Sequence, residues 1–558
     1  MFGICGGYDN ILTMAVQTLI NKTQNTILSA ALIISASTGL SAILGVVKNR
    51  LLAKHFGVSD ELAVFYTADY IPGLLYSVVI VAVISTVFIP IFTSLLKKNE
   101  EEAFKSAATI INTTLLFFIF AGFLVYALSP QIFKLISLGQ FSTENTFLGS
   151  NLMRLLVLAQ MFLVLGSLAT NVLQSYRYFL VPALAPIVYN LGVICGIIFL
   201  SPSMGIYGPA LGLLTGAFLH FAIQLPVLKR TSFKYLALLD LKNLGFLKAV
   251  SLVPARIVSV VIGTFIQTVN NSFALLISSS SVIALKFANQ LQGFPINLFG
   301  YSIATACLPA LSAESENKDL STFKKTFLTS LHQMMFLVMP ISMILVILRI
   351  PVVRIVYGVS NFPWQATVET ASVLAFFSVS IFAQSANYLI TRAFYALKDT
   401  LTPVLVSIGT TVLNVSISAS LIVLMKFDIW AAAFSFSLTS MFDMLILLYL
   451  LDRKTGHLDT KNLFVPFIKI SMATLLMGIT LYVPIKLLDQ VIFDTTRTIN
   501  LLILTAIAGT CGVITYLLFT RLLKVDEIEL LYKLTGRLKL SKKEAAAEIP
   551  PYLETPAE

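Results

Sequence analysis

The chain has 558 residues, of which 57% are apolar and 12% charged, about half the charge of a soluble domain. Its mean hydropathy is +0.88, and nearly all of it lies in apolar stretches long enough to cross a bilayer, which takes about 20 residues. That excludes a soluble enzyme, a secreted disulfide scaffold and an outer-membrane barrel, whose strands alternate in polarity.

In chain order, the first six apolar segments fall near residues 27–47, 63–95, 104–128, 150–174, 182–200 and 205–228. The next six fall near 245–274, 279–312, 326–348, 366–396, 401–425 and 429–451, and two more near 463–485 and 498–520. The pattern predicts an all-α polytopic membrane protein of about fourteen transmembrane helices. Pro72, Pro186, Pro254 and Pro340 fall in or at the ends of these runs, where neighbouring helices can re-satisfy the freed carbonyls. Cys5, Cys195, Cys307 and Cys511 stand alone, without the paired spacing of a metal or redox motif. The four histidines, His55, His220, His332 and His457, are equally scattered.

Basic residues crowd alternate loops: Lys97, Lys98 and Lys105; Lys229, Arg230, Lys234, Lys242 and Lys248; Arg453, Lys454 and Lys461. The positive-inside rule then places both termini in the cytoplasm, with an even number of crossings. A nucleic-acid partner is not expected, because the charge is spread over many loops. Residues 1–26 lack the basic start and cleavage site of a signal peptide, and Met14 is an alternative start. From about Val525 the chain reads as a short cytoplasmic helix and a disordered tail.

The longest inside loop, near residues 229–248, separates the first six helices from the next six. Weak internal similarity spans that offset. Ile71-Pro72 and Phe88-Ile89-Pro90 in the second helix echo Phe294-Pro295 and Cys307-Leu308-Pro309 in the eighth. Tyr176 ahead of Pro186 and Asn190 is likewise matched by Tyr395 ahead of Pro403 and Asn414. Repeated halves are typical of transporters, with the substrate site between them; chance similarity among apolar helices is the rival. The expected organisation is an N-terminal segment, 1–26; a first six-helix lobe, 27–228; and a second lobe with its preceding loop, 229–451. Two extra helices, 452–523, and a tail, 524–558, complete it.

Several stretches carry a resemblance to a known family. They are Leu52-Ala53-Lys54-His55-Phe56-Gly57, Ile71-Pro72-Gly73-Leu74-Leu75 and Phe88-Ile89-Pro90-Ile91-Phe92, then Pro182-Ala183-Leu184-Ala185-Pro186 with Asn190. Further on come Ile206-Tyr207-Gly208-Pro209-Ala210-Leu211-Gly212, Leu308-Pro309-Ala310-Leu311-Ser312 and, most specific, Phe394-Tyr395-Ala396-Leu397-Lys398-Asp399-Thr400-Leu401-Thr402-Pro403. Taken together, from about Ser35 to Thr520, the chain resembles the MurJ (MviN) lipid II flippase family, within a MATE-like exporter superfamily. The resemblance implies two six-helix lobes plus two helices whose groove receives a lipid tail. It also implies passage of an undecaprenyl-pyrophosphate-linked disaccharide-pentapeptide to the outer leaflet by alternating access, driven by membrane potential or an ion gradient. The family's cavity arginines are expected to hold the pyrophosphate, and here the chain departs from it. Ala42 and Lys48 stand at two basic positions of the first helix, Ala63 at an aspartate, Tyr76-Ser77 at a basic pair, and Asn289-Gln290 at an Asp-Arg pair.

A charge at mid-membrane costs at least about 2.5–3.5 kcal/mol on insertion scales, so each needs an account. Arg256, in the seventh helix, has the planar fork that suits a pyrophosphate, or it snorkels to headgroups. Lys48 and Lys286 either line the cavity or anchor helix ends. Asp69, before Pro72, would pair with Lys48 or Arg256 or bind a coupling cation. The expected substrate-binding set is therefore Arg256, Lys48, Lys286, Asp69, Asn289 and Gln290. Asn414 and Asp443 are candidates for a coupling Na+ or H+, against ordinary interhelical hydrogen bonding. Arg154 reads as structural, and Asp399 as a turn residue.

The functional expectation is a bacterial cytoplasmic-membrane flippase for a polyprenyl-pyrophosphate-linked glycan, with the peptidoglycan precursor lipid II as the leading substrate, carried from the inner to the outer leaflet by alternating access. No cofactor is expected; the partners are the glycolipid, membrane lipids and cell-wall synthesis proteins. The alternatives are a flippase for another lipid-linked oligosaccharide, a drug exporter of the same superfamily, and a non-transporting cell-wall scaffold. A membrane glycosyltransferase would need catalytic carboxylates and a large external loop.

Overall fold

The computed structural model describes residues 27–80, 88–243, 246–247, 254–317, 319–488 and 498–528, and within them the side chains of 27–32, 34, 35, 90, 254–256, 259, 488 and 498 are outside the description. The readings made for residues 1–26 and for the tail beyond 528 fall outside it too.

Every regular element among the described residues is a helix. In chain order they are α1 (Ile27–Phe56), α2 (Asp60–Val79), α3 (Ile89–Leu96) and α4 (Glu100–Ala127). Next are α5 (Ser129–Ile136), α6 (Thr143–Ser175), α7 (Leu180–Met204) and α8 (Tyr207–Leu228). Then come α9 (Pro254–Leu275), α10 (Ser279–Glu316), α11 (Leu320–Ile347), α12 (Arg349–Tyr357), α13 (Trp364–Val379) and α14 (Ile381–Ala396). The last are α15 (Leu401–Leu424), α16 (Trp430–Thr455), α17 (Thr460–Leu488) and α18 (Thr498–Leu522). Eleven spans among the described residues are long and apolar enough to cross a membrane, and α13 with α14, bent by 43° at their junction, make a twelfth. The expected count of fourteen is not reached there. The early side chains of α1 are outside the description, and α9 offers only the shorter apolar stretch Val260–Leu275.

The helix starts are written in the sequence. Ser59, Asn99, Ser142 and Asp319 each accept a hydrogen bond from the backbone N–H three residues on, at the heads of α2, α4, α6 and α11. Acidic first turns, such as Glu100, Glu101 and Glu102, complement the helix dipole. The order of elements also repeats with a six-helix offset. The short α5 follows the third apolar segment as the short α12 follows the ninth. The fifth and eleventh spans, α7 and α15, both contain a π-helical turn, at Gly196–Leu200 and Ser420–Leu424.

The chain packs as two compact units. One comprises Met1–Leu291, Val352–Phe377 and Thr400–Thr439; the other comprises Gln292–Pro351, Ser378–Asp399 and Ser440–Glu558. In the first, α7 and α8 touch along a glycine seam. A Cβ on Gly192 would stand 2.4 Å from the Gly216 Cα, and one on Gly196 2.5 Å from the Gly212 Cα. Small residues permit this approach where lipid supplies no hydrophobic drive for helix association. In the second, α17 and α18 pack on α11: Tyr516 donates to the Phe336 carbonyl at 2.7 Å, and Gly478 lies against Met343.

Candidate functional site

Within the first unit, α1, α2, α9 and α10 bring polar side chains together. Asp69 and Tyr70 lie just ahead of Pro72 in α2. Lys286, early in α10, points its ammonium over the rings of Tyr70 and Tyr66, at 5.1 and 5.5 Å from their centroids. Lys48 of α1 lies 6.0 Å over the Tyr189 ring, within electrostatic reach of Asp69 and Lys286. Two ammonium groups thus share one carboxylate, and neither makes an ion pair among the described residues. Asp69 Oδ1 is buried and accepts no hydrogen bond. The cluster is net positive and half-buried, an arrangement that favours an anion.

A cavity of about 40 Å³ opens beside it, lined by Tyr70, Gln267, Asn270, Lys286 and Asn289, with Phe377 and Phe436 among its apolar walls. Asn270 and Asn271 of α9 are buried, and both Oδ1 atoms lack a partner, although Asn271 Nδ2 donates to Thr67 Oγ1 at 3.2 Å. Buried carbonyl oxygens without donors are costly, so they invite a donor from a ligand or water.

Beside this cluster lie an aromatic plug and a hydrogen-bonded clamp. Phe287, next to Lys286, stacks on Tyr357 at 4.1 Å and meets Tyr66 edge-on at 6.2 Å, with Phe362 also buried against it. Arg50 Nη1 donates to the carbonyl of Ile355 and, at 2.8 Å, to that of Val356, in the last turn of α12. In return, Asn361 Nδ2 donates to the Lys54 carbonyl at 2.7 Å, at the end of α1. The carbonyls of Ile355 and Val356 at the end of α12, and of Lys54 at the end of α1, are thus satisfied by side chains across the contact. Gly57 makes the turn after α1 with φ +59°, and any Cβ there would stand 2.3 Å from the Asn361 carbonyl oxygen.

Of the residues singled out from sequence, the structure gathers Lys48, Asp69, Lys286 and Asn289. Gln290 lies against Gly45 of α1, its Nε2 3.8 Å from where a Cβ would stand. Arg256 belongs to the first turn of α9, but its side chain lies outside the described residues. Asn414 is buried, with Nδ2 donating to Thr439 Oγ1 at 3.4 Å, and Asp443 falls in the other unit. Arg154 donates to the Tyr126 carbonyl and Asn151. Asp399 holds the Lys454 ammonium at 2.5 Å. Sequence reasoning missed Tyr66, Tyr70, Gln267, Asn270 and the clamp made by Arg50. The Asn270-Asn271 pair inside an apolar helix was the available signal, since polar residues there are rarely idle.

A family model described as "Lipid II flippase MurJ" matches residues 52–503. The chain belongs to this family. It is 27% identical over 507 residues to a probable lipid II flippase MurJ of Buchnera aphidicola from Acyrthosiphon pisum, covering 90% of this chain and 98% of that one. It is 26% identical over 394 residues to the lipid II flippase MurJ of Burkholderia cenocepacia, covering 69% and 76%. Among solved structures it is similar to a lipid II flippase MurJ in an inward closed conformation, with a TM-score of 0.72, 24% identity, and 89% and 100% of the two chains covered. The fold also matches an inward-facing multidrug MATE transporter at TM-score 0.64 and 10% identity, covering 75% and 94%. At positions where the family resemblance leads one to expect charge, Ala63 is fully buried, and Tyr76 shares a 3.2 Å hydrogen bond with Ser167. Those neutral side chains are built into packing.

Proposed function

We propose that this chain carries lipid II, a polyprenyl-pyrophosphate-linked glycopeptide, from the inner to the outer leaflet of a bacterial cytoplasmic membrane by alternating access. The family match over residues 52–503 carries this reading. The cluster of Lys48, Lys286 and Asp69 supplies its chemistry. A pyrophosphate brings at least two negative charges into a partly dehydrated site, where a neutral wall cannot offset them. Lys48 and Lys286 are the cations for it, with Arg256 as the third, and Asn289, Gln290 and Asn270 offer hydrogen bonds to the headgroup. With both termini in the cytoplasm, as the loop charges favour, the Arg50 clamp lies on the outer side and must open for release. The groove of α17 and α18 takes the polyprenyl tail, because exposing it to water would cost about 0.8 kcal/mol per CH₂. Asn414 and Asp443 are the candidates for a coupling Na+ or H+. Flipping breaks no covalent bond, so no catalytic group is required. Cell-wall synthesis proteins are the natural recipients of the product.

Ala42, Ala63, Tyr76-Ser77 and Asn289-Gln290, standing where the family is expected to carry charge, favour one second reading: a different lipid-linked oligosaccharide. Complementation of a MurJ-depleted bacterium separates the two. Rescue supports lipid II; a well-expressed, membrane-inserted protein that fails to rescue refutes it.

A further inference from the structure

The connection between α8 and α9 is not a free loop. From Phe233 to Asp240 it has no regular secondary structure, yet it is laid along α4, which presents a polar stripe to it. Glu102, Ser106, Thr109 and Asn112 recur at helical spacing in a helix otherwise apolar enough to span a membrane. Asn112 Nδ2 donates to the carbonyls of both Leu236 and Leu238 at 2.9 Å. The Asp240 N–H donates to Thr109 Oγ1 at 3.3 Å. Asn243 accepts from Ser106 Oγ and donates to Glu102 Oε1, each at 2.7 Å. Phe233 meets Phe92 and Phe104 edge-on, which pins the start of the strap. Irregular backbone can sit at membrane level only when protein groups satisfy it, and α4 provides them.

The other side of this strap is left with an unusual composition. Leu239, Leu241 and Leu247 are 50, 57 and 50% exposed, whereas Tyr235 turns back to α4, its hydroxyl donating to Asn112 Oδ1 at 2.6 Å. Exposed Lys229, Arg230 and Lys234 precede these leucines and exposed Lys242 follows Leu241, none of them in an ion pair among the described residues. Asp240 is the sole acid between residues 229 and 247, and its Oδ1 already accepts the Lys242 N–H at 3.1 Å. Apolar side chains flanked by unpaired cations match the boundary of an anionic bilayer: the leucines enter the acyl edge while the cations meet phosphates.

We propose that residues 229–243, together with Leu247, are a docking strap for anionic phospholipid in the inner leaflet. The leaflet assignment rests on the proposed orientation; the lipid chemistry does not. The test uses the full chain with Leu239→Trp in a Trp364→Phe, Trp430→Phe background, reconstituted in phosphatidylcholine vesicles. These contain either brominated phosphatidylglycerol or brominated phosphatidylcholine at equal mole fraction. The fluorescence of the single introduced indole should be quenched by both and more strongly by the anionic lipid. Adding Lys234→Gln and Lys242→Gln, both at exposed and unpaired positions, should reduce that preference by roughly fivefold per lysine without altering elution as a folded monodisperse protein. No quenching by either lipid would overturn the proposal in favour of a solvent-facing or protein-binding patch. Equal quenching by both, unchanged in the lysine variant, would overturn the anionic preference. Separately, Arg230→Cys should react with an impermeant thiol reagent only from the cytoplasmic side. Reaction from the outside would refute the orientation while leaving the quenching result standing.

Discussion

Arg50→Ala should loosen the clamp between the end of α1 and the end of α12. One guanidinium nitrogen donates to two carbonyls there. A hydrogen bond from a charged donor contributes about 1.5–3 kcal/mol. Both bonds share Nη1, the side chain is only half-buried, and water can reach the freed carbonyls. The combined loss is therefore nearer to about 2–3 kcal/mol than to the sum of two full bonds. That corresponds to roughly a 30- to 150-fold change in the ratio of clamped to opened molecules. Asn361→Ala removes a neutral bond to the Lys54 carbonyl, worth about 1 kcal/mol, and should shift the ratio several-fold. The assay places spin labels at His55→Cys and Ser360→Cys, two exposed positions flanking the clamp, in a chain whose native cysteines are serines, and reads the distance distribution. Arg50→Ala should add a longer-distance population, Asn361→Ala a smaller one, and Arg50→Lys an intermediate one. An unchanged distribution in Arg50→Ala would show that the aromatic plug of Phe287, Tyr357 and Phe362 holds this end closed alone, and would refute the clamp.

Three further outcomes are expected. The double variant Lys48→Ala, Lys286→Ala should lower headgroup exposure on the outer leaflet of reconstituted vesicles by roughly tenfold or more, since an anion left without its buried cation costs several kcal/mol; Lys286→Arg should keep part of the activity, and wild-type flipping by the double variant would remove these residues from the site. Gly196→Leu should lower the unfolding temperature in detergent markedly, because even a Cβ would meet the Gly212 Cα at 2.5 Å and overpacking costs about 1–3 kcal/mol or more; Gly139→Ala, with open space around it, should cost only its positive-φ strain. Hydrogen bonds from Thr322 and Ser321 hold the Asp319 carboxyl down at about 2, below its usual carboxylate range. Its capping of α11 is therefore fully present above about pH 4 and is lost only as the pH falls through about 2, so Thr322 amide protection by hydrogen exchange should survive at about pH 3. Loss of protection at that pH would contradict it.

The membrane-spanning helical class, the order of the apolar segments and the capped helix starts were legible from residues alone. A run of apolar side chains and a Ser or Asp ahead of it act locally, over one or two turns. Family membership was legible too, because turn motifs such as Phe394–Pro403 are contiguous. The site was legible only as a set of intramembrane charges, each with a rival explanation at its helix end. What the structure adds is contact between distant residues. Lys286 stands over the rings of Tyr66 and Tyr70, and the partners of Arg50 are two backbone carbonyls about three hundred positions away. Backbone acceptors carry no sequence signature, and an aromatic ring shows no preference for its cation until the helices cross. The same holds for the strap on α4. Glu102, Ser106, Thr109 and Asn112 announce a polar face by their spacing, yet whether that face meets a cavity, another helix or an extended chain depends on where residues 231–243 return. Only tertiary packing settles that, because the free energy of a buried hydrogen bond belongs to the pair and not to either residue.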